Sequence, residues 1–213
     1  MQEPFVHLVY SRQVIEFVTV AREYCQFVEK TDSYSKKDYI QVLLKLLPLL
    51  YLKASTLPKT EIELDDAVDR FVTEEDYMAI KDTIEFKMGA HNDYLEVFTP
   101  DINRSEGALS ASIAEDLSDV YQDLKDFLEN YRTGATELMN DALAETVTNF
   151  ELLWGQKVLN SLRALHNVFY SGDDLTDEQE KPHTEDDKRN TKDWIFSRRQ
   201  REWQDGDDDS LLD

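Results

Sequence analysis

Cysteine, proline and glycine are scarce in this chain: one, five and six among 213 residues. The lone cysteine, Cys25, permits no internal disulfide, and it sits on an apolar helix face, as inert core thiols do. With so little proline and glycine the chain has few breaks, and almost no stretch alternates with a period of two, so helices are expected. Long apolar runs are missing as well. The most apolar stretch, Val42 to Leu52, is too short to span a bilayer and contains Lys45 and Pro48. The first ten residues, MQEPFVHLVY, lack the basic start and long apolar core of a secretory signal, so a cytoplasmic protein is expected.

Positive charge is in short supply. Against 45 acidic residues stand 23 basic ones, for a net charge of -22 and a pI near 4.4. A field of that sign repels nucleic acid and anionic membranes and favours basic protein partners or divalent cations. It also serves plain solubility. Hydrophobic residues still make up 41%, enough for a real core, so the excess charge belongs to the surface.

Recognisable catalytic patterns are lacking too. There is no GxSxG, no phosphate-cradling glycine loop and no Cys-His pair placed for nucleophilic attack. The four histidines, His7, His91, His166 and His183, form no zinc spacing, and the paired Glu-x-x-His of a di-iron bundle is absent. A non-enzymatic protein is therefore the leading expectation.

What is present is helical periodicity. From Pro4 to Glu29 the apolar residues Val14, Phe17, Ala21, Tyr24, Cys25 and Val28 recur at three- and four-residue steps, which predicts a first helix. Ser35 caps a second that runs through Pro48, where a kink near Lys45 is expected. A polar connection follows from Leu57 to Arg70. Thr73 and Asp76 form a capping box opening a third helix that Gly89 ends, with a short helical piece in HNDYLEVF before Pro100. From Leu109 a heptad seam runs through Ile113, Leu117, Val120, Leu124, Phe127 and Tyr131, about 35 Å long at 1.5 Å per residue. After Gly134 a second seam runs through Met139, Leu143, Val147, Phe150, Trp154, Val158, Leu162, Leu165 and Phe169. The fold expected is an all-α bundle of five or six helices, built on a long antiparallel hairpin, over residues 1–170.

After Tyr170 the composition changes. Residues 171–213 carry 15 acidic and 7 basic residues. The stretch 171–192 reads as an acidic, disordered linker, and 193–213 as an amphipathic docking segment. Its anchors are Trp194, Phe196 and Trp203, oriented by Arg198, Arg199 and Arg201. Tryptophan and arginine are enriched in binding hot spots, so a protein partner, or the protein's own bundle, is expected to receive them.

Two sets of candidate residues remain. Asp116, Asp119, Asp123 and Asp126 step by three, four and three along one helical stripe. Such like charges repel, and three readings relieve them: a Mg2+ or Mn2+ site at Asp116, Asp119 and Asp123, pairing with Lys157 or Arg163 across the hairpin, or solvation. Aromatics at helical spacing are usually core, while Gly155 after Trp154 points to a close helix crossing or room for a ligand.

The segments SIAEDLSDVYQDLKDFLENY (Ser112 to Tyr131) and NFELLWGQKVLNSLRALHNV (Asn149 to Val168) resemble the bacterial Domain of unknown function 5063. That resemblance implies an all-helical domain and no established activity. It directs attention to Asp116, Asp119, Asp123, Lys125, Trp154, Gly155 and His166 as one candidate cluster, with the last four as a candidate pocket. The expected function is that of a protein-interaction or adaptor module, with a divalent-metal enzyme at the aspartate stripe as the alternative.

Overall fold

A computed structural model describes residues 7–64, 68–96 and 109–176. The expected docking segment, most of the linker and Pro4 lie outside the described residues. Helix α1, Arg12–Val28, follows one 3-10 turn at Leu8–Tyr10 and buries the expected stripe from Val14 to Val28. Helix α2 spans Lys36–Ser55 with Pro48 inside it, and Ser35 Oγ caps it by accepting from Asp38 N at 3.1 Å. Helix α3, Glu74–Met88, opens on the Thr73–Asp76 capping box. Gly89 ends it at φ 54°, a left-handed conformation that costs other residues steric strain.

The piece expected to be helical after Gly89 is instead a strand. Strand β1, Asp93–Glu96, pairs antiparallel with β2, Leu109–Ser112, so Leu109 belongs to a strand and not to the following helix. Four-residue strands are too short for a period of two to stand out, and Leu109 lies four residues before Ile113, which mimics a helical step. The hairpin serves the start of helix α4, Ile113–Arg132. Asn92 at its base, 5% exposed, accepts from Ile113 N through its carbonyl at 2.9 Å and from Ala114 N through Oδ1 at 3.0 Å. Ser112 Oγ takes Glu115 N at 3.2 Å. Three of the amide groups left without a partner inside the helix are thereby satisfied.

Helix α5, Thr136–Asn149, runs through a π turn at Phe150–Trp154 into helix α6, Gly155–Tyr170. Counting this joined rod once, the bundle has five helices among the described residues. Gly155 N–H bonds the carbonyl of Phe150, five residues back, and a Cβ on Gly155 would stand 2.4 Å from that oxygen and 3.0 Å from the Phe150 ring. The glycine thus allows the wide turn to close on itself, where the sequence had suggested a helix crossing or a ligand.

Helix α4 packs against α1, α3, α5 and α6, and α2 packs against α1 and α6. Trp154 is fully buried, its ring 6.4 Å from that of Phe17 on α1 and 4.8 Å from that of Phe150. After α6 the chain continues against the body to Leu175, which is 9% exposed, with Asp173 Oδ2 3.7 Å from His91 Nε2.

The connection between α2 and α3 has no regular structure in its described part, yet much of its backbone is bonded. Asp141 accepts from Glu63 N at 2.7 Å and Leu64 N at 2.9 Å, and Asn140 Nδ2 donates to the Glu61 carbonyl at 2.7 Å. Asp126 Oδ1 accepts from Phe71 N at 2.7 Å and Val72 N at 3.0 Å, and Asn130 Nδ2 donates to the Asp69 carbonyl at 2.9 Å. Four buried polar side chains of the α4–α5 hairpin thus replace a secondary-structure ladder for this segment.

Candidate functional site

The α4 aspartates divide into two groups. Asp116, 7% exposed, accepts from Tyr94 Oη on β1 and from Ser161 Oγ on α6 at 3.4 Å, with Lys157 Nζ 3.6 Å from its other oxygen. Asp119 accepts from Tyr77 Oη on α3 at 2.7 Å and from Lys157 Nζ. Three elements thus converge on two carboxylates, and Lys157 is the cation they share.

Burial pushes the Asp116 carboxyl above its ordinary range, against the pull of Tyr94 and Lys157. Burial lowers the Lys157 ammonium, but its bond to Asp119 and the charges of Asp119 and Asp116 outweigh that and leave it raised. Tyr77 and Tyr94 are raised by burial and then by the aspartates they bond, so both remain protonated donors.

The lower pair is structural in the same way. Asp123 accepts from Asn149 Nδ2 at 2.7 Å, and burial raises its carboxyl. Asp126 holds the two amides described above, with Arg70 Nη1 3.6 Å from Oδ2 and the same guanidinium paired to Glu145. The space enclosed by Arg70, Asp123, Asp126 and Glu145 is about 10 Å3, roughly the room one water needs. Among the described residues no three His, Cys, Asp or Glu side chains are placed to hold a metal ion. Pairing with Lys157 was among the readings of the stripe, whereas capture of backbone amides by Asp126 was not.

The expected pocket residues are not brought together. Lys125 Nζ binds Glu29 at 2.9 Å and lies 3.8 Å from Glu129. Trp154 is sealed in the core, and Gly155 closes the π turn. His166 lines a cavity apart from the other three. This is an open groove of about 450 Å3 between α2 and α6, formed by Leu44, Pro48, Leu159, Leu162, Arg163, His166 and Tyr170. No carboxylate lines it, which is unusual on a chain of net charge -22. Leu52, one turn beyond Pro48, is 56% exposed, and Leu159 and Tyr170 are 45% and 67% exposed.

The Domain of unknown function (DUF5063) matches residues 8–171, the whole helical body from the first 3-10 turn to the end of α6. The chain belongs to this family. The crystal structure of protein BF1032 from Bacteroides fragilis is similar to it, with 40% identity, a TM-score of 0.69, and coverage of 84% of this chain and all of the other. None of the curated proteins matches. Membership in DUF5063 agrees with the all-helical body and brings no activity with it. No helix among the described residues of this DUF5063 protein is long and apolar enough to cross a membrane.

Several residues of these networks were missed in the sequence. Tyr77 reads as core-facing on α3, Tyr94 falls in a segment mistaken for helix, and Asn92, Asn130, Asn140 and Asp141 look like ordinary solvated side chains. The one available signal was chemical: carboxamides and carboxylates clustered near a long connection that lacks its own pairing pattern.

Proposed function

We propose that this protein is a non-enzymatic interaction module of the cytoplasm, an adaptor that binds another protein through its helical body and a C-terminal docking segment. The observation that carries the reading is the α2/α6 groove, an open apolar surface free of carboxylates on a strongly acidic chain. Contiguous apolar patches on soluble proteins mark binding surfaces far more than single exposed leucines do. Each exposed leucine there gains roughly 25 cal/mol per Å2 when a partner covers it. The docking segment, with Trp194, Phe196 and Trp203 beside Arg198, Arg199 and Arg201, adds residue types that dominate interface energetics. A net charge of -22 favours a partner with a basic surface, through faster encounter.

Affinity capture from the source cells tests this with three baits: the full chain, a chain ending at Thr176, and Leu159→Glu. The cut falls after Thr176 because Leu175 is buried against the body. A specific partner held by the full chain is expected to be lost from at least one variant. Retention of every partner by both would overturn the proposal.

The metal-enzyme reading has little to build on, because Asp116, Asp119 and Asp123 already accept hydrogen bonds from Tyr94, Ser161, Tyr77, Lys157 and Asn149. Millimolar Mg2+ or Mn2+ is expected to leave the melting temperature unchanged, since only a ligand of the native state stabilises by mass action. A rise that disappears in Asp119→Asn would favour the enzyme instead.

A further inference from the structure

Helices α2 and α6 each carry a second seam on the side away from the core. On α6 the exposed Gln156, Leu159, Arg163, His166 and Tyr170 step by three, four, three and four. On α2 the exposed Gln41, Lys45, Pro48, Leu52 and Ser55 step by four, three, four and three. That is the spacing at which a further helix packs along each of them. Tyr51 of α2 meets Phe150 at 5.1 Å, while Leu44 and Pro48 share the groove with Leu162, Arg163 and His166, so the two helices run antiparallel. The face between them therefore has an apolar end, at Leu52 and the exposed Leu152 and Leu153, and a cationic end, at Lys45 and Arg163.

Carboxylates are scarce on these two helices. Acids make up 45 of the 213 residues, yet the 20 residues of α2 hold one and the 16 of α6 none. That one, Asp38, belongs to the α2 cap and accepts from Ser35 Oγ at 2.8 Å. Two of the cations are engaged: Lys53 binds Glu16 at 2.7 Å, and Lys157 is held by Asp119. Lys45 and Arg163 pair with no carboxylate among the described residues.

We propose, resting on the reading of the α2/α6 face as an interaction surface, that its groove receives an amphipathic helix of a partner protein, with an apolar stripe and carboxylates that meet Lys45 and Arg163. Two antiparallel helices with outer seams form a trough into which a third lays its apolar face, anchored at three- and four-residue steps. Charge then selects among apolar helices. A basic helix would set cation against cation with no carboxylate to relieve them, whereas an acidic one complements both. The net charge of -22 acts at long range on the partner as a whole, and salt screens it beyond about 8 Å. Lys45 and Arg163 act on the segment in contact. A partner that inserts an acidic helix and is basic elsewhere satisfies both.

The seam from Leu152 to Tyr170 is about 27 Å long, which matches roughly 18 residues of helix. Fluorescence anisotropy on the full chain tests the occupant with two labelled peptides of that length, alike in their leucine stripe and flanked by glutamate in one and glutamine in the other. The glutamate peptide is expected to bind with a Kd on the order of 10 μM, suited to a small interface, and the glutamine peptide roughly tenfold more weakly. Leu159→Glu is expected to weaken both peptides. Lys45→Gln combined with Arg163→Gln is expected to bring the two to equal affinity. The melting temperature is expected to stay near the parent's in each variant, because all three residues lie exposed.

A glutamate peptide that fails to bind, that binds no tighter than its glutamine twin, or that ignores these substitutions would overturn the inference. So would binding seen only in a chain ending at Thr176, which would assign the groove to the chain's own terminal segment. If neither peptide binds but Leu159→Glu still loses the cellular partner, the acidic helix falls and the interaction module stands. If that variant and the chain ending at Thr176 also retain every partner, both fall.

Discussion

Asp126→Ala is expected to lower the melting temperature by roughly 6–12 °C, about 3 kcal/mol for a domain of this size. The aspartate is 2% exposed, and one of its oxygens accepts from both Phe71 N and Val72 N. Alanine removes that acceptor and leaves two amides to find water, at roughly 1–3 kcal/mol for each group that stays buried without a partner. Water relieves part of the cost, because Phe71 itself is 44% exposed. Asp126→Asn keeps an acceptor oxygen and gives up mainly the 3.6 Å contact with Arg70, so it is expected to lose less than half as much. The same logic holds for Asp141, 1% exposed, which carries Glu63 N and Leu64 N on separate oxygens. Thermal melts of Asp126→Ala, Asp126→Asn and Asp141→Ala decide the matter. If Asp126→Ala melts within a degree of the parent, the carboxylate does not anchor the connection.

These anchors mark where sequence reading gives out. The seams of α1, α4 and the α5–α6 rod were legible because each repeats the same apolar step over five or more positions, and the caps at Ser35 and Thr73 because their partners lie three residues away. Asp126 and Phe71 are 55 residues apart, and nothing in either neighbourhood marks the other. The π turn was invisible for a different reason. Phe150 and Trp154 keep a helical step across it, and only the glycine that follows betrays the extra residue. The β-hairpin failed through length, since four residues per strand fit a helical step as well as an alternating one. Of the candidate site, the stripe Asp116, Asp119 and Asp123 was found, but its meaning depended on Tyr77 and Tyr94, which arrive from a helix and a strand elsewhere in the chain.

The partners of the α4 aspartates explain why this bundle tolerates so many acids. Carboxylates at helical spacing repel by a few tenths of a kcal/mol per pair when exposed. Here each is directed to a different element: Asp116 to β1 and α6, Asp119 to α3 and α6, Asp123 to α5, and Asp126 to the α2–α3 connection. The stripe therefore acts as a row of attachment points that fixes register between α4 and its neighbours. On the surface between α2 and α6, by contrast, apolar groups face outward with no carboxylate lining the groove.

Lys157→Met is expected to melt roughly 4–8 °C below the parent at pH 7, about 2 kcal/mol, and the deficit is expected to shrink as the pH falls toward 4. Lys157 is the cation nearest both Asp116 and Asp119, and methionine keeps its stem while deleting the charge. Breaking a fully buried pair costs more, but a third of the lysine side chain is exposed and solvent screens the rest of the loss. The pH dependence follows from Asp116. Burial already holds its folded carboxyl above the ordinary carboxylate range, so it favours the folded state fully at pH below that range and loses this contribution as pH rises through the raised folded value. Deleting Lys157 raises the carboxyl further and extends the loss at neutral pH, whereas near pH 4 the proton replaces the missing cation. In an Asp116→Asn background the lysine substitution is expected to cost about 1 kcal/mol less, the coupling typical of groups in contact. Melting curves for the four proteins between about pH 4 and 8, a window set by the carboxyl range, separate the outcomes. A deficit that stays constant across that range would mean that Lys157 contributes packing alone, and that Asp116 is held by Tyr94 and Ser161 without it.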